Sequence, residues 1–259
     1  MFLKGFHSVT LYRIVAALTV LSSPLVFFMP APSFYPLLAL AATLLIVKLG
    51  QHIGQHRYFA HKAFRTGEIR QWILGYFATL SLTGGPLVYA AVHRLHHKHS
   101  DTELDSHPLH KNFWKAFFVH INDEDVKMSP FVIKDLLRNK QAQFYHNYYW
   151  HIILSYIGVL ALIDPLLVLY CWSIPVTYSK FVSGVGTTFV HMWGYKPFDT
   201  KDKSTNSIIN HILTMGEGMH NNHHFRPAAY DNNIRNKWYE FDWLAPIIKV
   251  FFDVRKQKV

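Results

Sequence analysis

Four stretches of the chain are apolar for about the length a helix needs to cross a bilayer, on the order of 20 residues: 9–29, 34–54, 150–172 and 174–194. They fall into two pairs with short linkers. Pro30, Ala31, Pro32 and Ser33 separate the first pair, and little beyond Ser173 separates the second. The pattern predicts two transmembrane hairpins. A fifth apolar stretch, from Gln71 to Val92, is interrupted by Thr83, Gly84, Gly85 and Pro86. Proline removes a helix donor and glycine loosens the backbone, so this stretch reads as helices lying at or dipping into the membrane interface. No internal repeat beyond the hairpin pairing and no low-complexity tract is visible, so one domain over residues 1–259 is expected.

Composition agrees with a membrane protein: half of the 259 residues are hydrophobic and 16% are aromatic, unusual for a soluble domain of this size. Of the 26 lysines and arginines, 22 lie in residues 56–149 and from Lys196 onward, and none lies in the hairpin linkers. The positive-inside rule then places both large segments and both termini in the cytoplasm. The net charge of +10 is accounted for by this topology, by anionic headgroups or by an acidic electron donor. No zinc-finger, helix-turn-helix or RNA-recognition pattern accompanies it, which excludes nucleic acid as the partner. Lys4 ahead of an apolar stretch raises the question of a signal peptide. The stretch is too long and lacks a clear small-residue cleavage site, so it reads as a retained first span. The single cysteine, Cys171, excludes an intrachain disulfide and a Cys-ligated iron–sulfur cluster, and reads as a small packing residue.

Candidate chemistry lies in the histidines. Eight of the 18 form three clusters: His56 and His61 in HRYFAH, His93, His96 and His97 in HRLHH, and His220, His223 and His224 in HNNHH. Neutral imidazole is a ligand for iron, copper or zinc, and the i, i+3, i+4 spacing of two clusters puts three rings on one helix face. His56 and His61 are different, because an i, i+5 pair is about 140° apart on a regular α-helix. Either the two serve different metals or the helix loosens there. All three clusters fall on the inferred cytoplasmic side, which points to one assembled site. The expected architecture is all-α: a four-span helical membrane protein with a cytoplasmic helical cap holding a histidine-rich dimetal site.

At these residues the sequence resembles the integral-membrane fatty acid desaturases of the Δ9 branch, which includes stearoyl-CoA desaturase and bacterial relatives. The match is carried in order by HRYFAH at His56, HRLHHKHSDTELDSHP at His93, HMWGYKPFD at His191 and GEGMHNNHH around Glu217 and His220. The resemblance implies two iron ions held by nine histidines, the eight above and His191, with dioxygen as cosubstrate. It also implies a fatty acyl substrate, as acyl-lipid or acyl-CoA, and an electron donor such as ferredoxin or cytochrome b5. Asp105 and Glu217 match the family pattern as residues that orient ligand rings. Two departures stand out. Thr187 occupies the position of a water-holding asparagine, and Ala91 and Val92 replace an Arg-Asp pair that helps contact coenzyme A.

Other residues carry less signal. His52, one turn before the first box, is as well read as helix packing as support for a ligand. His99, His107, His110 and His120 read as solvated or hydrogen-bonding residues, and Asp101 and Glu103 as solvated loop acids. Tyr58, Phe59, Trp72, Trp114, Trp193 and Trp238 read mainly as packing or interfacial anchors rather than an acyl channel. Removing hydrogen from two unactivated methylenes needs an oxidant no side chain supplies, so a redox metal with dioxygen is required. The expected activity is oxygen-dependent formation of a cis double bond, Δ9 by resemblance. A diiron hydroxylase is the nearest alternative. A metal transporter is a distant one, since it would thread polar ligands through the middle of its spans.

Overall fold

Apolar sequence becomes helix along most of the chain in the computed structural model, which describes residues 9–107, 109, 112–119 and 130–254. Helix α1 (Val9–Ser22) continues as a 3-10 turn to Phe27, and α2 (Tyr35–Thr43) runs unbroken into a π-helix over Leu44–Ala60. Then come α3 (Glu68–Leu80), α4 (Pro86–His99), α5 (Phe113–Val119), α6 (Lys140–Asn147) and α7 (Tyr149–Ile163). Helix α8 (Pro165–Val168) leads through a π-turn at Leu169–Ser173 into α9 (Ile174–Thr187) and a 3-10 turn at Phe189–His191. Short helices α10 (Ile208–Leu213), α11 (His220–Phe225) and α12 (Ala245–Phe251) follow.

The expectation of an all-α chain needs one correction. Strand β1 (Phe64–Arg65) pairs antiparallel with β2 (Asp253–Val254), Phe64 opposite Val254. The pairing seats Phe64 against Phe252, ring centroids 4.6 Å apart. It ties the end of the described chain to the segment leaving the second span.

Among the described residues, three helices are long and apolar enough to cross a membrane: Thr10–Phe27, Tyr35–Ala60 and Pro165–His191. Helix α7, 15 residues long, is shorter. The second hairpin is also drawn differently from the hydropathy reading, which placed its tip at Ser173 and its spans over 150–172 and 174–194. The turn is at Asp164, whose side chain accepts a hydrogen bond from the Leu166 amide at 2.9 Å and caps a helix with Pro165 at its first position. A proline there costs nothing, because that amide has no intrahelical acceptor. Pro175, by contrast, sits inside the helix. The π-turn precedes it, and the Cys171 carbonyl four residues back, which proline cannot bond, accepts from the Tyr156 hydroxyl at 3.1 Å. Side-chain satisfaction of a freed carbonyl is how membrane helices tolerate proline.

The interrupted stretch between Gln71 and Val92 becomes α3, a turn, and α4. The turn residues Ser81 to Gly85 are all buried. Their carbonyls are met by the spans: Tyr12 Oη donates to Leu82 O at 2.9 Å, Ser179 Oγ to Ser81 O at 2.9 Å, and Gln55 Nε2 to Gly84 O. Buried irregular backbone is tolerated only when protein groups satisfy it.

Helix α3 packs tightly on the π-helix because Gly50 and Gly54 offer no side chain. A Cβ on Gly50 would lie 2.3 Å from the Phe77 carbonyl carbon. Gly50→Ala is therefore expected to push α3 away and destabilise the protein by about 1–3 kcal/mol, seen as a lower unfolding temperature in detergent. An unchanged temperature would show that the two helices do not pack this closely. Around this contact Ile53, Phe59, Leu74, Val88 and Val92 form an apolar core directly beside the histidines. A second core joins Tyr12, Val47, Leu80, Ile153 and Trp172 from the bundle helices.

Candidate metal centre

The π-helix resolves the spacing of the first cluster. Its backbone bonds run from residue i+5 to residue i, and the His61 amide donates to the His56 carbonyl at 3.2 Å. This stacks the two side chains on one face, ring centroids 5.1 Å apart. The helix loosens, and both histidines reach the same place. Arg94, beside His93, secures the end of this helix by donating to the carbonyls of Phe59 at 3.0 Å and Ala60 at 2.7 Å. A cation at a helix C-terminus meets its unpaired carbonyls and its negative dipole end.

The nine histidines gather in two groups. His56, His61, His93 and His223 bring one ring nitrogen each to within 4.8 Å of one another, and so do His96, His191, His220 and His224. His97 joins the first group, with its Nε2 3.0 Å from both His93 Nε2 and His223 Nε2. Adjacent rings of α4 thus serve different groups: His93 and His97 face one, His96 the other. In α11, His223 faces the first group while His220 and His224 face the second. Each of these two helices therefore contributes to both groups.

Helix α11 has only six residues and is fixed by side chains rather than by its own ladder. The asparagines of HNNHH are completely buried and point backwards. Asn206 Oδ1 accepts from the Asn221 amide at 2.9 Å, and Asn222 Nδ2 donates to Asn232 O at 2.8 Å and Glu240 Oε2 at 3.1 Å. The chain enters α11 through Gly216, whose φ of +123° suits glycine, and Gly218, where a Cβ would lie 2.1 Å from the His211 amide nitrogen.

Carboxylates fix the ring tautomers. His96 Nδ1 lies 2.9 Å from Asp105, His191 Nδ1 3.0 Å from Asp101, His224 Nδ1 2.8 Å from Asp202 and His56 Nδ1 3.2 Å from Glu217. An ionised carboxylate only accepts, so each Nδ1 carries a proton, and in a neutral ring Nε2 is then the nitrogen with the lone pair. Burial, with the neighbouring rings, holds His61, His93, His96, His97, His220, His223 and His224 well below the usual imidazole range. These rings are neutral at pH 7. Burial acts to raise Asp101, but the hydrogen bonds from His191 and the Lys203 amide outweigh it and hold the carboxyl at about 2. Glu217 is likewise lowered against burial, by His52, His56 and Arg57.

The donor set fits metal ions. His220 Nε2 lies 3.0 Å from both His191 Nε2 and His224 Nε2. One ring nitrogen has at most one hydrogen, so at least one of these contacts sets lone pair against lone pair. Among the described residues, His96 Nε2 is buried without a hydrogen-bond partner. Such an arrangement is repulsive unless a cation lies among the nitrogens. Two imidazoles bound to one ion at about 2.1 Å and a right angle stand about 3.0 Å apart, which is the spacing found. Imidazole nitrogen suits iron, copper, zinc and nickel alike.

A cavity of about 70 Å³ lies against His56, His93, His96 and His220. Thr187 is on its wall, with its hydroxyl donating to the Ala116 or Gly184 carbonyl at 3.0 and 3.1 Å. His52 and Tyr89 line it too, and so does His107, which is buried rather than solvated. His52 Nδ1 lies 3.5 Å from Glu217, behind His56. Ala91 and Val92 are interior, and Val92 lines the cavity. Trp114, Trp193 and Trp238 are exposed, Phe59 is buried in the core, and Trp72 packs on Phe144 and Tyr145. Glu103 is exposed at the surface. His110 and His120 lie outside the described residues.

Sequence reading undervalued Asp101 and passed over Asp202. Both sit in loops, and nothing in their local spacing relates Asp101 to His191, 90 positions away, or Asp202 to His224, 22 positions away. Arg57 was also missed. It is buried, donating to Asp242 at 2.7 Å and to Tyr230 O at 2.8 Å, and joins the π-helix to the cap.

A family model described as "Fatty acid desaturase" matches residues 9–253. The chain is 32% identical over 211 residues to "sn-1 stearoyl-lipid 9-desaturase" of Anabaena variabilis, covering 76% of this chain and 74% of that one. It is 28% identical over 244 residues to "Acyl-CoA Delta(11) desaturase" of Trichoplusia ni, covering 81% and 67%. It is 26% identical over 238 residues to "Delta-9 acyl-lipid desaturase 2" of Arabidopsis thaliana, covering 85% and 74%.

Proposed function

The chain belongs to the fatty acid desaturase family, and from that premise we propose that it forms a cis double bond, at Δ9, in a saturated acyl chain at a site holding two iron ions. The observation that carries the reading is the convergence of nine imidazoles in two groups beside one cavity. His56, His61, His93, His97 and His223 would hold one ion, and His96, His191, His220 and His224 the other. When bound, the irons activate dioxygen to an oxidant strong enough for an unactivated methylene.

The chain's own residues do the rest. Asp105, Asp101, Asp202 and Glu217 hold the Nδ1 protons and keep the Nε2 lone pairs aimed inward, an arrangement that raises ligand basicity. Burial of the rings excludes water from the centre. Val92, Tyr89, Val182 and Gly186 give the cavity apolar wall against which an alkyl chain rests. Thr187 keeps free lone pairs able to accept from a bound water.

In the membrane, we place the histidine groups, the cap and both termini on the cytoplasmic side, with the linker 30–33 and Asp164 outside. This gives a four-span arrangement in which α7 crosses as the shortest helix and the chain acts as one domain. Tyr35 Oη donates to Asp164 at 2.5 Å, so the tips of the two hairpins meet. A cysteine introduced at Asp231 is expected to react only after the membrane is opened, and one at Ser33 in intact cells. Labelling of position 231 from outside would overturn the orientation. Asp123, the other cap position suited to this test, lies outside the described residues.

Two of the three relatives above are named as acyl-lipid enzymes and one as an acyl-CoA enzyme. We favour an acyl-lipid substrate. Expression in a host lacking its own desaturase should yield fatty acids with a new Δ9 double bond. In reconstituted protein with a working electron donor, labelled phospholipid should be converted without prior passage through labelled stearoyl-CoA. Hydroxylated product in place of alkene would overturn the reading.

A further inference from the structure

Resting on the desaturase reading, the overall change R–CH2–CH2–R′ + O2 + 2 e⁻ + 2 H⁺ → R–CH=CH–R′ + 2 H2O leaves two electrons to be supplied from outside. They must enter where a soluble protein can approach the buried histidines. Loop 196–204 reaches two of them, one directly and one through Asp101. In loop 196–204, Asp202 holds His224 Nδ1 at 2.8 Å, and the Lys203 amide donates at 2.7 Å to Asp101, which holds His191 Nδ1 at 3.0 Å. Both ligands belong to the second histidine group.

The outer side of this loop has the chemistry of a docking patch. Lys201 and Lys203 flank Asp202 and are exposed, as is Lys196, which braces the loop through the carbonyls of Thr200 and Asp202. Asp199 is exposed too, while the charge of Asp202 faces inward on His224. Beside the lysines, Phe198 and Phe225 stack face to face, centroids 4.0 Å apart and planes within 4°. Phe225 is 47% exposed and is the residue next to His224. An aromatic centre with a charged rim is the usual anatomy of a protein interface, and redox encounters use small ones.

We propose that loop 196–204 and Phe225 form the docking surface for an acidic one-electron carrier protein, with Asp202 and His224 as the bonded path to the second metal group. Two carriers, or one carrier twice, deliver the two electrons, one at a time. The positive charge favours an acidic partner and speeds its approach at low salt. An anionic lipid headgroup would match the charge as well, but it draws no advantage from bonds that lead to two metal ligands.

The test uses the full chain, iron-loaded, in bilayer discs of neutral phosphatidylcholine, with reduced plant-type [2Fe–2S] ferredoxin as probe. The Lys201→Glu/Lys203→Glu variant should take electrons from ferredoxin about tenfold or more slowly at low salt, with a flatter salt dependence. The same charge change at exposed Lys140, on α6, should have no effect. A small photoreduced deazaflavin, which needs no docking surface, should reduce the site in both proteins. Unchanged ferredoxin kinetics in the double variant would overturn the proposal, as would an equal loss in Lys140→Glu. Lost binding to phosphatidylserine vesicles with unchanged ferredoxin kinetics would assign the patch to lipid instead. Failure of the wild type to form alkene under chemical reduction would count against the desaturase reading, while the electron-transfer comparison would still be readable.

Discussion

His220→Ala is expected to reduce desaturation by more than about a hundredfold and to release metal from the second histidine group. Its Nε2 sits 3.0 Å from both His191 and His224, so it is the centre of that group. Alanine removes a donor that no neighbouring side chain replaces, whereas changes one bond further out already cost about 10–100-fold. Iron content should fall from two ions toward one per chain, because the first group of five rings keeps all its members. Full activity with two ions retained would show that His220 is not a ligand.

Asp202→Ala is the second. It is not among the histidines that would hold metal, yet it holds the Nδ1 proton of His224. Without it the ring can rotate or present the wrong nitrogen, and iron affinity should weaken by about 10–100-fold. Asp202→Asn should be milder, since an amide oxygen still accepts from Nδ1–H and only the charge is lost. Iron titration followed by spectroscopy measures both. Equal affinity in wild type and Asp202→Ala would show that the carboxylate is a bystander.

These two residues mark the limit of sequence reading. His220 was legible because its spacing to His223 and His224 repeats once per helical turn. Asp202 was not, because its role depends on a loop folding back across 22 positions, and nothing local distinguishes it from a solvated acid. The first box lay between these cases. Its i, i+5 spacing excluded a shared site on a regular helix, and only the π-type backbone bond from His61 to His56 brings the rings together. Hydropathy located the apolar helices but misplaced the second hairpin tip. It weighted the short polar gap at Ser173 above the aspartate–proline pair at 164–165, although the pair supplies both a cap and a helix start. The interrupted stretch near Gly84 carried its two helices in its pattern. The burial of its turn depended on Tyr12, Gln55 and Ser179, which come from three other helices.

We propose that the nine histidines hold two iron ions in two separate groups. Diffraction from crystals of the active protein at wavelengths on either side of the iron absorption edge tests it most directly. Two anomalous iron peaks are predicted, one among His56, His61, His93, His97 and His223 and one among His96, His191, His220 and His224. A single peak, or iron lying away from these rings in catalytically competent protein, would contradict the account.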